Sequence, residues 1–272
     1  MTAGWRIGSL FSGIGGLELG LERAGLGTVA WQCEVDPWCR AVLAQHWPDA
    51  ERFEDVRALV DPPKVEVMCG GFPCQPVSVA GKRRAQADER WLWPEFARLI
   101  RVVRPRLVVA ENVPGLATAG LGLVLGDLAA LGYDAAWDVL SAAAVGAPHR
   151  RERLFIVAWD VAHSYGAGWT GRTGAGGHRR GLAEPADGGR VADAVGAGRA
   201  EGAAESGVGR GADGVSSGLD GHRWPAGRGE PQHEWEPPRT LRAVPDRAAR
   251  LKALGNAVVP QAAEAVGRWA LR

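Results

Sequence analysis

At 272 residues with 46% hydrophobic content, the chain has room for one full α/β domain plus something small, and ample material for a packed core. A formal net charge of +1 excludes a global attraction to nucleic acid, so any polyanion site has to be a local patch. Four cysteines, Cys33, Cys39, Cys69 and Cys74, show no CxxC spacing and no neighbouring histidine pair, which argues against a zinc site and against a secreted disulfide scaffold.

Trp5 to Leu10 reads as a short strand, followed by Phe11-Ser12-Gly13-Ile14-Gly15-Gly16 and a helical pattern from Leu17 to Ala24. Strand, glycine turn and helix open a nucleotide-binding α/β unit, because glycines let a ligand approach the backbone and helix N–H groups point at it. The dinucleotide fingerprint GxGxxG is not met, since its third glycine position falls on Glu18. An acid in the helix's first turn, with no phosphate-gripping lysine, opposes a pyrophosphate and favours an adenosine ligand with a positive centre, such as S-adenosylmethionine.

Val29 to Cys33 reads as the second strand and ends at Glu34. A carboxylate there, about 20 residues after the glycine turn, stands where such units hold ribose hydroxyls. Asp36, followed by Pro37, reads as the cap of a helix running to His46. Phe53 to Arg57 is a polar turn in which Asp55 reads as surface on the residues alone.

Val65 to Cys69 is a strand leading into Gly70-Gly71-Phe72-Pro73-Cys74-Gln75-Pro76-Val77-Ser78. Glycines and prolines aim Cys74 rigidly, and Lys82, Arg83 and Arg84 offer the electropositive field that a thiol of ordinary pKa ~8.5 needs to become a nucleophile. The alternative is a buried small hydrophobe, the usual state of a free cysteine. A helix from Glu95 to Val103 buries Phe96, Leu99, Ile100 and Val103, and Leu107 to Ala110 is a fourth strand that delivers Glu111. A buried glutamate at the carboxyl end of a parallel strand has its pKa raised and can donate a proton.

A helix near Leu121 to Leu131, a strand from Tyr133 to Leu140, a basic turn from Gly146 to Arg153 and a strand from Leu154 to Ala158 follow. The arginines of that turn are either a solvated face or contacts to a polyanion or a base carbonyl. From Trp159 to about Asp220 glycine, alanine and arginine dominate, and long loops or partial disorder are expected. Periodicity returns near Arg247. Arg250 to Pro260 reads as a turn opening a last helix through Leu271, which is expected to return beside the first glycine loop.

The series FSGIGG, CEVD, EDVR, GGFPCQPVS, ENVPGL, GAPHRRERLFIVA and LKALGNAVVPQ closely resembles the DNA (cytosine-5) methyltransferases. The resemblance implies a Rossmann-like S-adenosylmethionine-dependent methyltransferase fold, a mostly parallel sheet flanked by helices with a short irregular target-recognition region. It divides the chain into a catalytic cofactor-binding part at 1–158, a reduced recognition region at 159–246 and a completing segment at 247–272. By resemblance Cys74 is the nucleophile that adds to carbon 6 of a flipped cytosine. Glu111 is the acid on ring nitrogen 3, and Arg153, with Arg151 nearby, contacts the base's carbonyl. For S-adenosyl-L-methionine the resemblance points to Phe11, Gly13, Ile14, Gly15, Gly16, Glu34, Asp55, Val56, Pro73, Leu92, Asn256 and Val258, and for the DNA side to Gln75 and Ser78. His149 stands where the family often has glutamine, and Arg239-Thr240-Leu241-Arg242 is the remnant of a further block.

The implied partner is double-stranded DNA, engaged by a monomer, with a cognate restriction endonuclease as one expected companion. No N-terminal run matches a signal peptide and no segment approaches the ~18 apolar residues of a membrane span, so a soluble cytoplasmic protein, bacterial or phage-encoded, is expected. Two other readings stand beside this one, a tRNA-methylating relative and a non-catalytic subunit that binds cofactor or DNA.

Overall fold

Leu107-Val108-Val109-Ala110 is apolar at every position, and the computed structural model shows that both of its faces are covered. Side chains alternate along a strand, so Val108 and Ala110 enter one core with Phe96, Leu99 and Ile100, while Leu107 and Val109 enter another with Leu17, Leu21 and Val266. The structure describes residues 4–73, 91–164, 224–226, 229–236 and 245–272. Cys74, Gln75, Ser78, the basic run 82–84, the segment 239–242 and most of the glycine-rich region lie outside the described residues.

Among the described residues one sheet holds seven strands: β1 (Trp5–Leu10), β2 (Gly27–Cys33), β3 (Glu51–Phe53), β4 (Val67–Gly71), β5 (Leu107–Asn112), β6 (Tyr133–Leu140) and β7 (Arg153–Asp160). Their order is β3-β2-β1-β4-β5-β7-β6, parallel from β3 to β5, with β7 antiparallel to both β5 and β6. Helices α1 (Gly16–Arg23), α2 (Pro37–His46), α3 (Trp93–Val103), α4 (Leu116–Ala119), α5 (Leu121–Ala130), α6 (Val161–Ser164), α7 (Arg247–Asn256) and α8 (Pro260–Ala270), with a 3-10 turn at Ala142–Val145, complete the described elements. Parallel neighbours need crossover helices, which places the helical layers on both faces.

The expected return of the C-terminal segment is observed as α8 lying on α1. Gly20 permits it: a Cβ there would stand 2.4 Å from both the Ala263 Cβ and the Pro260 carbonyl oxygen. α2 starts as its sequence requires, with Asp36 accepting from the Trp38 and Cys39 amides and Pro37 in the first turn.

Several expectations need correction. Phe53, read as opening a polar turn, ends an edge strand, Glu51–Phe53, too short to show a pattern. β4 begins at Val67, two residues later than expected, β2 and α3 begin two earlier, at Gly27 and Trp93, and β5 ends two later, at Asn112. Residues 247–256 form a helix rather than a turn, and only Ala253 of that helix is buried, so no apolar stripe marked it. No helix among the described residues is long and apolar enough to cross a membrane.

Candidate active site

A cavity of about 450 Å³ opens at the carboxyl ends of β1, β2, β4 and β5, where a doubly wound sheet places its ligands. The chain leaves β1 through Phe11 and Gly13, both at φ 56°, a left-handed turn that glycine adopts readily and phenylalanine rarely. Glu34, at the tip of β2, fastens this turn. Its Oε2 accepts from the Gly13 amide at 2.7 Å and its Oε1 from the Asp36 amide at 2.8 Å. Each oxygen keeps a further lone pair for a ligand hydroxyl.

Asp36 has two tasks. One oxygen caps α2, and the other receives Lys252 Nζ at 2.9 Å, which joins α7 to the cavity mouth. The hydrogen bond from Lys252 is the main reason the Asp36 carboxyl titrates below its usual range.

On the opposite wall, β4 ends in Gly70-Gly71 beside Glu111 of β5. A Cβ at Gly71 would lie 2.8 Å from Glu111 Oε2, so the paired glycines leave room for the carboxyl. Glu111 Oε1 meets Arg153 Nε at 3.0 Å. Burial pushes the Glu111 pKa up to about 7, outweighing the opposing pull of the Arg153 and Arg151 charges. Its neighbour Asn112 donates from Nδ2 to the Phe72 carbonyl at 2.9 Å, fixing the exit of β4 one residue before Pro73.

Of the expected site residues, Phe11, Gly13, Gly16, Glu34, Pro73, Glu111, Arg153, Asn256 and Val258 share this cavity wall. Ile14, Gly15, Asp55, Val56, Leu92 and Arg151 are not in it. Gly15 caps α1 against Trp47 and Leu43. Val56 is buried in the core, and Leu92 caps α3 while packing on that core. Asp55 is exposed and accepts from the Arg57 amide. Arg151, at φ 32°, donates to the carbonyls of Gly255 and Ala257 at 2.7 and 2.6 Å.

Ser9, Ser12, Asn112, Lys252 and Ala257 line the cavity without having been singled out, and Asp36 was read only as a cap. The Gly70-Gly71 pair was the available signal for the room it leaves. Glu18, read as an acid that opposes a pyrophosphate, lines the cavity but is fully buried beside Ser9, Ser12 and Gln32, and desolvation pushes its carboxyl toward the neutral form. No cluster of metal-ligating side chains occurs among the described residues.

Fold and site define a Rossmann-like methyltransferase domain. The family model for C-5 cytosine-specific DNA methylases matches residues 5–166, and the chain belongs to that family. It is similar to the type II methyltransferase M.HgiBI of Herpetosiphon aurantiacus, at 36% identity over 161 residues, 56% of this chain and 37% of that protein. It is likewise similar to M.PspPI of Psychrobacter sp. (strain TA137), at 40% identity over 158 residues, 54% of this chain and 38% of that protein. The matches thus span little more than a third of each relative. Among solved structures, a DNMT2 variant from Spodoptera frugiperda shares the fold with a TM-score of 0.50 and 20% identity, covering 64% of this chain and 53% of that one.

Proposed function

We propose that the chain transfers a methyl group from S-adenosylmethionine to carbon 5 of cytosine in double-stranded DNA through a covalent adduct at Cys74. The observation that carries this reading is the Glu111 carboxyl, buried, paired with Arg153 at 3.0 Å and in one cavity with the Glu34-fastened turn.

The described walls suit the methyl donor better than a phosphorylated nucleotide. Carboxylates of Glu34 and Asp36 face the turn side, where the Lys252 ammonium is already paired with Asp36, so a polyphosphate meets negative charge. Glu34 retains acceptor capacity for ribose hydroxyls, and the Gly13 and Gly16 turn with Asn256 and Val258 would enclose the rest. When bound, S-adenosylmethionine supplies an electrophilic sulfonium methyl for carbon 5 of the base.

The chain's own residues make carbon 5 nucleophilic. Stacked bases hide their ring faces, so the target cytosine has to leave the duplex, at a cost of about a few kcal/mol. The Cys74 thiolate adds to carbon 6 while protonated Glu111 donates to nitrogen 3 and Arg153 to the carbonyl oxygen, giving the ring enamine character. Loss of the carbon 5 proton and of the thiol restores the aromatic ring. Pro73, one peptide bond before Cys74, lines the cavity with Glu111. The described cysteines do not suit the role: Cys69 is fully buried, and burial lifts the thiols of Cys33 and Cys39 to about 12 and about 11. The same reading gives a bacterial cytoplasmic setting within a restriction–modification system, supported by the type II names of the relatives.

The test is sequencing of modified cytosines in duplex DNA exposed to the protein, with a tRNA arm and a Cys74→Ser protein beside it. Methylated cytosine in duplex DNA, and trapping on 5-fluorocytosine DNA that Cys74→Ser abolishes, are expected. Methyl transfer by Cys74→Ser at the parental rate, or transfer to tRNA alone, overturns the reading.

A further inference from the structure

We propose that Arg151 is a positioning residue that ties the α7–α8 joint to the turn before β7, whose Arg153 pairs with the catalytic carboxyl, rather than a contact to the base. The inference rests on the reading of the cavity as a methyltransferase site. Arg151 sits in the turn that feeds β7, two residues before Arg153. Its Nη2 donates to the carbonyl oxygens of Gly255 and Ala257, more than 100 positions downstream, at 2.7 and 2.6 Å. Both acceptors line the cavity beside Val258, as Glu111 does. These carbonyls lie where α7 ends and the chain turns into α8, a place where helix carbonyls lack intrahelical partners.

One guanidinium thereby satisfies two of them and holds the joint between the helices. The backbone supports this placement: Arg151 has φ 32°, a conformation a non-glycine residue keeps only when its surroundings enforce it. Committed to the two carbonyls, Nη2 is directed at the joint, whereas Arg153 points its Nε at Glu111. Among the described residues the charges acting on Glu111 are those of Arg153 and Arg151. Any movement of the α7–α8 joint therefore moves a charge felt by the acid. A lysine in place of Arg151 offers a compact point charge without the planar fork, so it restores the charge better than the geometry.

The full-length chain is tested as wild type, Arg151→Ala, Arg151→Lys and Arg153→Ala. Hydrogen exchange in the free proteins reads the tie without any ligand: the amides of 255–259 are expected to exchange faster in Arg151→Ala, and added guanidinium to slow them again. Calorimetry with S-adenosylhomocysteine is expected to show about tenfold to hundredfold weaker binding in Arg151→Ala, the loss expected for charge-assisted hydrogen bonds, with Arg151→Lys intermediate. Arg153→Ala, whose side chain meets Glu111 and the Glu152 carbonyl rather than the joint, is expected to leave exchange at 255–259 as in the wild type. Unchanged exchange in Arg151→Ala, or unchanged S-adenosylhomocysteine affinity together with lost methyl transfer, overturns the proposal and returns Arg151 to the base. Failure of the wild type to bind S-adenosylhomocysteine overturns the methyltransferase reading instead, and hydrogen exchange still decides the tie.

Discussion

The carboxyl of Glu111 and the guanidinium of Arg153 meet at 3.0 Å across two antiparallel neighbours, β5 running into the cavity and β7 running out of it. A carboxyl delivered by one strand's end and a guanidinium delivered by its sheet neighbour's start thus share one ladder. The pair is partly shielded, with side-chain exposures of 10% and 21%, so its electrostatics are stronger than those of a surface pair.

Activity is expected to depend on the protonated form of Glu111. Its pKa is about 7 in the free protein, so kcat/KM should fall as pH rises through that value. Glu111→Gln should lose about a hundredfold to ten-thousandfold in rate and lose that limb of the profile. A pH–rate profile of the two proteins checks both points.

The same carboxyl makes stability depend on pH. Below the ordinary carboxyl value of 4.5 both folded and unfolded chains hold the proton; between 4.5 and about 7 only the folded chain keeps it; above that neither does. Stability therefore falls with rising pH across that window, by about 3 kcal/mol at most. Urea unfolding of wild type and Glu111→Gln at several pH values should show their difference moving in the variant's favour from pH 4.5 to 7 and flat above it.

Glu34→Ala should weaken S-adenosylmethionine binding by about tenfold or more, because it removes a ligand acceptor and frees the Gly13 and Asp36 amides together. Calorimetry reads the affinity, and a thermal melt of the free protein reads the loosened turn.

Asp36→Ala should cost about 0.5–2 kcal/mol through loss of the α2 cap. Asp36→Asn keeps a capping oxygen and is expected to retain most of that stability while losing the ion pair with Lys252. Urea unfolding of the two variants separates cap from pair.

Gly20→Ala should destabilise by about 1–3 kcal/mol, because its methyl group would press on the Ala263 side chain and the Pro260 and Glu264 backbone. An unchanged unfolding midpoint would show that α8 shifts without cost.

The apolar run of β5 was legible because it becomes a strand covered on both faces, and β1 and β6 begin and end where their patterns do, β6 by alternation at the sheet edge. β3 was not, since three residues are too short for a period, and α7, where periodicity returned, was not told from a turn because it buries only Ala253. In the site, Glu34, Glu111 and Arg153 were legible because each sits beside a strand end, a position that sequence order reveals. The placements of Val56 and Leu92 in the core, and of Asp36 beside Lys252, depend on contacts between distant segments that no local pattern encodes. Glu18 shows the same limit, since its burial under the glycine turn follows from β1 and β2 lying side by side.

Because α8 seats on α1 and its Trp269 meets Trp159 of β7, the last strand and the last helix are joined in one core, and the sequence between them is an insertion closed at that contact. Each doubling in the length of such an insertion costs only about 0.6 kcal/mol of closure entropy. Changes of length in that stretch are therefore thermodynamically cheap.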